Sequence, residues 1–355
     1  VTKDIFQPSE PAAEAVASLL YALGANARQE AALPLIRDIC AKASDLLAAD
    51  RSRAFEAMSS ILDDGRASIP WPAPSTKPAD VDVVLVAPQP RELEAVKDVF
   101  KTTFAVEHRN GRTYYEFTWQ GATGDKLRCV IASLVGPGNV NAAVEAAEVG
   151  RHYRASLWIL VGMCAGLPDP SPIGAVVLPQ KVWDYESGRL LTGSFEPRPD
   201  VISRSSEVNS VLHHFESDRE TREMLERRLS DARARAVEVD GEECVPAGFK
   251  FRLDLRGKVV ASGEKLLRDG ELLPGLHSNQ HQGITIGDME SYGFARACSG
   301  VPWLVARGVA DYGDGTKTKL HQYFSTMLAA ETVRALLESD FVLPLLERIE
   351  VMVRF

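Results

Sequence analysis

From Val81 onward the chain alternates between two textures. Short runs, apolar at almost every position and rich in β-branched residues, recur at VDVVLVA (81–87), LRCVIAS (127–133), SLWILVG (156–162), AVVLPQKV (175–182), KVVAS (258–262) and PWLVARG (302–308). Between several of them lie stretches with apolar residues at three- and four-residue steps, notably from Arg91 to Phe100, in VNAAVEAAEVGRHY and in SYGFARACSG. Strands apolar on both faces are covered on both faces, and their alternation with helices favours parallel pairing. The pattern predicts an α/β domain built on a central, mostly parallel sheet, without internal repeats.

Ahead of Val81 the pattern is helical. AAEAVASLLYALGA and LPLIRDICAKASDLLAA repeat apolar residues at helical steps, broken near Gly24 and Asn26, so residues 1–66 read as a small N-terminal helical region. RASIPWPAPSTKPAD, from Arg66 to Asp80, holds four prolines. Proline fixes φ and removes a backbone donor, so residues 67–80 read as a stiff linker and the clearest domain boundary. Residues 81–341 then form the main α/β domain and 342–355 an apolar C-terminal tail fit to dock on a core or a partner. Within the domain, residues 206–235 carry six arginines between Arg219 and Arg235, interleaved with glutamates. A phosphate-binding arm is one reading. Charges of both signs at helical spacing favour a solvated helix with ion pairs. A final amphipathic helix is expected near 320–338.

Composition narrows the function. With 45% hydrophobic, 25% charged and 7% aromatic residues, the 355-residue chain has globular proportions, which exclude wholesale disorder and collagen-like repeats. Forty basic residues against 49 acidic ones give a formal charge of -9, a poor basis for nucleic-acid binding. No stretch approaches the ~18 apolar residues of a membrane span, and no signal peptide opens the chain, so a cytoplasmic location is expected. The chain opens on Val1 rather than Met, as a piece of a longer protein would. Cys40, Cys129, Cys164, Cys244 and Cys298 lack CxxC spacing, which suits a reducing compartment and offers no zinc framework. His277 and His281 have i, i+4 spacing without a Cys or acidic partner in register and read as loop or solvated residues. No metal or other cofactor is expected.

Candidate chemistry gathers at strand ends, where open α/β sheets bind ligands. The segments are Ala87-Pro88-Gln89-Pro90-Arg91-Glu92-Leu93, Gly136-Pro137-Gly138-Asn139, Gly162-Met163-Cys164-Ala165-Gly166, Gly287-Asp288-Met289-Glu290-Ser291 and Arg307-Gly308-Val309-Ala310-Asp311-Tyr312-Gly313-Asp314. Singly, each has a structural reading. A glycine turn after a strand is commonplace, Glu290 suits a helix N-terminus, and Asp311 suits a cap.

Together, and in this order, these segments resemble the nucleoside phosphorylases and the methylthioadenosine/S-adenosylhomocysteine nucleosidases that share their fold. The resemblance runs from about Val81 to Leu337. VDVVLVAPQPRELEAVKDVF is similar to the family's opening strand and helix, VGPGNVNAA to its glycine turn, and ILVGMCAGL with IGAVVLPQKVWDYESG to its central strand, loop and next strand. ASGEKLLRDGELL resembles the segment lining the base pocket, while GDMESYGFARAC and LVARGVADYGD resemble the two most diagnostic motifs. The resemblance implies a phosphorylase-like three-layer domain with a central mixed, mostly parallel sheet.

It also implies roles. Breaking a purine N-glycosidic bond passes through an oxocarbenium-like sugar, and a carboxylic acid that keeps its proton near neutrality protonates the departing base. By resemblance Asp311 is that acid, aimed at N7. Glu290 steadies the sugar cation through its hydroxyls, with Met289 under the ribose. Glu92 matches the glutamate that orients and deprotonates water. Cys164, Ala165 and Gly166 of the glycine loop and Leu266 and Leu267 of the base segment are implied substrate contacts. Cys164 stands where Ser or Thr is usual, and a buried packing thiol is the favoured reading over a nucleophile. Leu266 stands where the nucleosidases place an aromatic beside adenine, so the pocket is expected to be more aliphatic. Ala310 replaces the common Ser before the acid, and Ala175 the Asp of the usual Gly-Asp-Val.

One branch of the phosphorylases carries an arginine at the position of Leu160. Leucine cannot hold phosphate, Cys164 is a poor donor and Glu92 repels an anion, so hydrolysis is expected over phosphorolysis. Arg91 is read as a phosphate ligand, either of a phosphate nucleophile or of the 5'-phosphates of a nucleotide such as AMP or ATP. Similar domains fused to sensor modules occur in bacterial antiphage systems and fungal immune receptors, where they resemble ATP nucleosidases. The expectation is therefore an enzyme releasing adenine from a small-molecule nucleoside or nucleotide, with ATP or AMP depletion in immune defence as its setting, forming a homodimer or higher homo-oligomer, with a fused or associated sensor module. The competing expectations are a phosphate-dependent phosphorylase, a catalytically silent nucleotide-binding module and a housekeeping enzyme.

Overall fold

The computed structural model describes residues 78–346, apart from 122, 123, 125, 193 and 316–318. The helices expected over 1–66, most of the proline-rich linker and the tail beyond 346 lie outside the described residues. The described chain runs β1 (Ala79–Ala87), α1 (Pro90–Phe100), β2 (Ala105–Arg109), β3 (Arg112–Gln120), β4 (Lys126–Ser133), α2 (Asn139–His152), β5 (Tyr153–Gly166), β6 (Val176–Val177) and β7 (Lys181–Asp184). It continues through β8 (Gly188–Leu191), β9 (Ser194–Pro197), β10 (Asp200–Ser203), α3 (Ser206–Ser217), α4 (Arg219–Asp240), β11 (Leu253–Asp254), β12 (Val259–Ser262) and α5 (Leu272–Asn279). The last elements are β13 (Ile284–Asp288), α6 (Ser291–Ala297), β14 (Trp303–Asp311), α7 (Gln322–Leu337) and α8 (Leu343–Leu346).

Twelve strands form one mixed sheet whose main path is β10-β7-β12-β13-β5-β1-β4-β3-β2, with β14 on β5 and β6, and β11 on β6. Of the strands that carry the site motifs, β1, β4, β5 and β14 pair in parallel, while β13 pairs antiparallel with β5. Alternation splits each strand between two apolar layers. Val83, Leu85 and Ala87 of β1 face the layer holding α1, α4 and α7. Val84 and Val86 face the layer of α2 and α6, with Ala142, Ala146 and Phe294. The architecture is the expected three-layer α/β domain.

Several expected boundaries move. β1 starts at Ala79, inside the stretch expected as linker. AVVLPQKV is two strands rather than one, because Pro179 has no N–H for a ladder and the pairing changes from β11 and β14 to β10 and β12 across it. The β2–β3 hairpin was not among the expected elements. Its turn, Asn110-Gly111, has both residues at positive φ (50° and 76°), as a tight hairpin turn requires.

Two helices differ in character from the expectation. α7 is not amphipathic: every residue except Gln322 and Arg334 is buried, because α1, α4 and β14 enclose it. α4 is not merely solvated. It keeps ion pairs along its surface, such as Arg219–Glu223 at 2.8 Å, but buries Leu225, Leu229, Ala232 and Ala236. Its Arg228 and Arg235 are tied to Glu338 and Asp98 on other elements. His277 and His281 serve backbone: Nδ1 of His277 lies 2.9 Å from the Ile284 carbonyl, and Nδ1 of His281 accepts the Gly283 N–H at 2.8 Å.

Candidate active site

The ends of β1, β5, β13 and β14 bring four buried acidic residues and one arginine into the same region of the sheet. Glu92 is placed by the start of α1. Pro90 opens the helix with a preset φ, and the Gln89 N–H donates to Glu92 Oε2 at 2.7 Å in a capping box. The other oxygen, Oε1, accepts the Met163 N–H of β5 at 2.7 Å. Glu92 is 2% exposed. Burial pushes its carboxyl up to about 8, against the opposing pull of Arg307, with Glu290 adding to the rise.

Arg307 lies in the middle of β14, directly opposite Gly162 of β5, and is fully buried. Its Nε donates to Asp288 Oδ2 at 2.8 Å, and its Nη2 donates to Glu290 Oε2 at 2.9 Å and lies 2.7 Å from Asp288 Oδ2. Nη1 lies 3.8 Å from Glu92 Oε1 and has no hydrogen-bond partner among the described residues. Burial disfavours the charge, but Asp288, Glu290 and Glu92 outweigh it and hold the guanidinium protonated. Gly162 makes this meeting possible. A Cβ there would overlap Glu92 Oε1 and fall 2.5 Å from Arg307 Nη1.

Asp288 and Glu290 flank Met289 at the β13–α6 junction. Asp288 accepts the Ser291 N–H and hydroxyl and is thereby fixed toward Arg307. Glu290 is buried, and its carboxyl is raised first by desolvation and further by Asp288, while Arg307 and the Gly138 N–H oppose the rise. That last contact ties the glycine turn after β4 to the site. Asn139, the next residue, accepts from Ser262 Oγ at 2.9 Å and from the Gly293 N–H at 3.0 Å, clamping α2, β12 and α6 together. Met289 is half-buried.

Asp311 is the last residue of β14 and is 6% exposed. The β14–β5 register slips between Val309 and Asp311, so Ala310 sits in a bulge and Asp311 stands opposite Ala165 in the ladder. The Gly313 N–H donates to Asp311 Oδ1 at 2.8 Å. Ala165 and Leu267 close this end: a Cβ on Gly313 would lie 3.1 Å from Leu267 Cβ and 3.4 Å from Ala165 Cβ. Cys164 is buried at the centre, and burial raises its thiol well above the ordinary range, with Arg307, Asp288, Asp311 and Glu92 all within electrostatic reach. A thiol kept protonated is a packing group and a poor nucleophile.

A Phosphorylase superfamily model matches residues 82–339, which contain every residue of this cluster. The chain belongs to the phosphorylase superfamily. ATP nucleosidase Cap17 from Escherichia coli (strain KTE188) is 29% identical over 255 residues, covering 70% of this chain and 49% of its own length. The chain thus spans about half the length of this curated relative. A 5'-methylthioadenosine/S-adenosylhomocysteine nucleosidase from Neisseria meningitidis, solved with methylthio-immucillin-A, has a TM-score of 0.51 at 18% identity over 72% of this chain and 98% of that one. The corresponding nucleosidase from S. pneumoniae, solved with a transition-state inhibitor, also scores 0.51, at 15% identity over 72% and 98% of the two chains. At such identities the likeness is one of fold.

Within this superfamily fold, Glu92, Glu290, Asp311, Met289, Cys164, Ala165 and Leu267 lie where the strand ends converge. Three of the residues read from sequence are placed otherwise. Arg91 points away from the cluster: Nη1 donates to Glu94 at 3.1 Å, Nη2 is paired with Asp240 of α4, and the guanidinium lies 4.7 Å over the Tyr323 ring. Adjacent helical residues diverge by about 100°, so α1 cannot aim both Arg91 and Glu92 at one site. Gly166 answers to packing, since a Cβ there would collide with the Ser171 carbonyl and Val309. Leu266 is 51% exposed and turns outward. Arg307, Asp288 and Gly162 lie within the motif segments but were assigned no role. A lone arginine inside an otherwise apolar strand was the available signal, because a buried charge demands partners.

Proposed function

We propose that the chain hydrolyses the N-glycosidic bond of a purine nucleoside or nucleotide, with an adenine nucleotide such as ATP or AMP as substrate, and releases the free base. The observation that carries this reading is the meeting of Glu92 Oε1 and the unpartnered Arg307 Nη1 above Gly162. There an acceptor and a donor that has no other partner lie 3.8 Å apart, the pair of groups that a nucleophilic water needs. Asp311 protonates the base at N7 as the C1'–N9 bond breaks. Glu290, backed by Arg307, holds the sugar hydroxyls while positive charge develops, and Met289 packs beneath the ring. Water adds at C1' and gives its proton to Glu92, whose pKa of about 8 makes it a strong acceptor once ionised.

Water is favoured over phosphate because Asp288 and Glu290 already pair with the single Arg307, and the β5 position that could have supplied another cation is the fully buried Leu160. The relative named as an ATP nucleosidase supports a nucleotide substrate. A cytoplasmic homodimer fits the same reading. For the dimer, Leu190 and Phe195 of the β8–β9 hairpin and Val140 and Val144 of α2 are exposed apolar residues; no described helix is long and apolar enough to cross a membrane. The test is chromatography of ATP, AMP, adenosine and methylthioadenosine after incubation with and without phosphate. Adenine release independent of phosphate is expected. Ribose 1-phosphate formation would establish phosphorolysis instead, and tight nucleotide binding without base release would establish a silent binding module.

A further inference from the structure

A second cluster lies at the opposite end of the strands from Glu290. Gln180 precedes β7, and Leu255 and Arg256 precede β12, two strands paired in parallel with each other. These residues border a cavity of about 200 Å³ together with Arg204, Asn209 and His213. Arg204, just after β10, is 4% exposed. Its Nε donates to Asn209 Oδ1 at 2.7 Å, Nη1 to the Leu178 carbonyl at 2.9 Å and Nη2 to the Leu255 carbonyl at 2.7 Å. All three acceptors are neutral, and among the described residues no carboxylate pairs with it. Burial alone pulls its guanidinium down to about 10.

Buried arginines are ordinarily paired with an anion, because desolvating an uncompensated cation is costly. A stitch between the β6–β7 turn, the β11–β12 turn and α3 would need three donors but no net charge. Arg204 has five N–H groups, so one on each terminal nitrogen is left over, matching two oxygens of an oxyanion. Across the same cavity stand His213 and Arg256, the latter also paired with Glu216 at 2.5 Å, and the amides of Gln180 and Asn209. That is more donor capacity than the two oxygens of a carboxylate would use.

We propose that this cavity binds a phosphate group, free or carried on a small molecule, with Arg204 as its principal ligand, Arg256 as a supporting cation and His213 as a ring N–H donor. The site is separate from the catalytic cluster and does not depend on the nucleosidase reading. Replacing Arg204 would also remove its three bonds, so Asn209→Asp is the decisive variant. It keeps the bond to Nε but places a carboxylate beside the guanidinium, satisfying the charge and repelling a second anion.

Melting temperature and calorimetric titration of the full chain are measured with inorganic phosphate, ribose 5-phosphate, acetate and chloride at matched ionic strength. Wild type is expected to be stabilised by inorganic phosphate or ribose 5-phosphate beyond chloride and acetate, and Asn209→Asp to fold and bind at least about tenfold more weakly. A response to ribose 5-phosphate alone assigns the site to a phosphorylated small molecule, and a response to inorganic phosphate assigns it to free phosphate. An equal shift in Asn209→Asp would place the anion elsewhere and overturn the proposal. So would acetate or chloride matching phosphate, or no shift with either phosphate compound.

Discussion

Glu92 is held by two backbone N–H groups that favour its ionised form, yet it is buried deeply enough that the neutral form prevails, up to a pKa of about 8. The consequence for stability has a definite sign. Between its ordinary value of 4.5 and about 8 the unfolded chain has released this proton while the folded chain retains it. Stability from this group is therefore complete below pH 4.5, declines as pH rises through that window and is flat above it. Glu331, raised to about 7 chiefly by burial, acts in the same direction over a narrower range. Glu92→Gln should flatten the slope of stability against pH, a comparison made by denaturant melts across the window, and an unaltered slope would refute the assignment. Asp311 is tested by chemistry instead. Asp311→Asn preserves an acceptor for the Gly313 N–H but cannot protonate a leaving purine. Adenine release should fall by ~10²–10⁴ with nucleotide binding retained, measured by single-turnover assay beside calorimetric titration.

Elements explain why some of these residues were legible in the sequence and others were not. The continuous apolar runs at β1, β4, β5, β12 and β14 reported their burial on both faces. The β2–β3 hairpin did not stand out, because its half-exposed strands lack such a run. The motif of Arg307 was legible but its role was not, because its partners, Glu92, Asp288 and Glu290, come from two other strand ends that only the sheet order brings together. Arg91 shows the converse: its neighbour Glu92 is in the site, but α1 rotates the guanidinium toward Asp240 and Tyr323. Arg91→Ala should accordingly cost about 1 kcal/mol or less of stability and leave the ratio of ATP to adenosine turnover unchanged, as paired kcat/KM measurements would show. A selective loss on ATP would return Arg91 to the phosphates. Gly162→Ala tests the β5–β14–α1 junction itself. Its Cβ would crowd Glu92 and Arg307, with a cost of ~1–3 kcal/mol and a loss of turnover larger than the loss of binding.

At the scale of the whole molecule, the three-layer core leaves one element without a core of its own. The β8–β9 hairpin forms a separate two-stranded sheet, with Leu190 paired to Phe195 and both exposed. A two-stranded hairpin is marginal in water unless a third surface covers it. Val140 and Val144, one helical turn apart on α2, present a second exposed apolar strip on an element that also delivers Asn139 to the site. A second copy of the chain meeting these surfaces would bury the hairpin and couple assembly to the frame around Glu290, so stability and activity should both rise with protein concentration. Leu190→Asp with Phe195→Asp removes the apolar contact without touching the catalytic cluster. Sedimentation equilibrium should then report a monomer where the unaltered chain reports a dimer, and the concentration dependence of adenine release should disappear. If the unaltered chain already sediments as a monomer at micromolar concentration, the hairpin does not join two copies and the dimer reading fails.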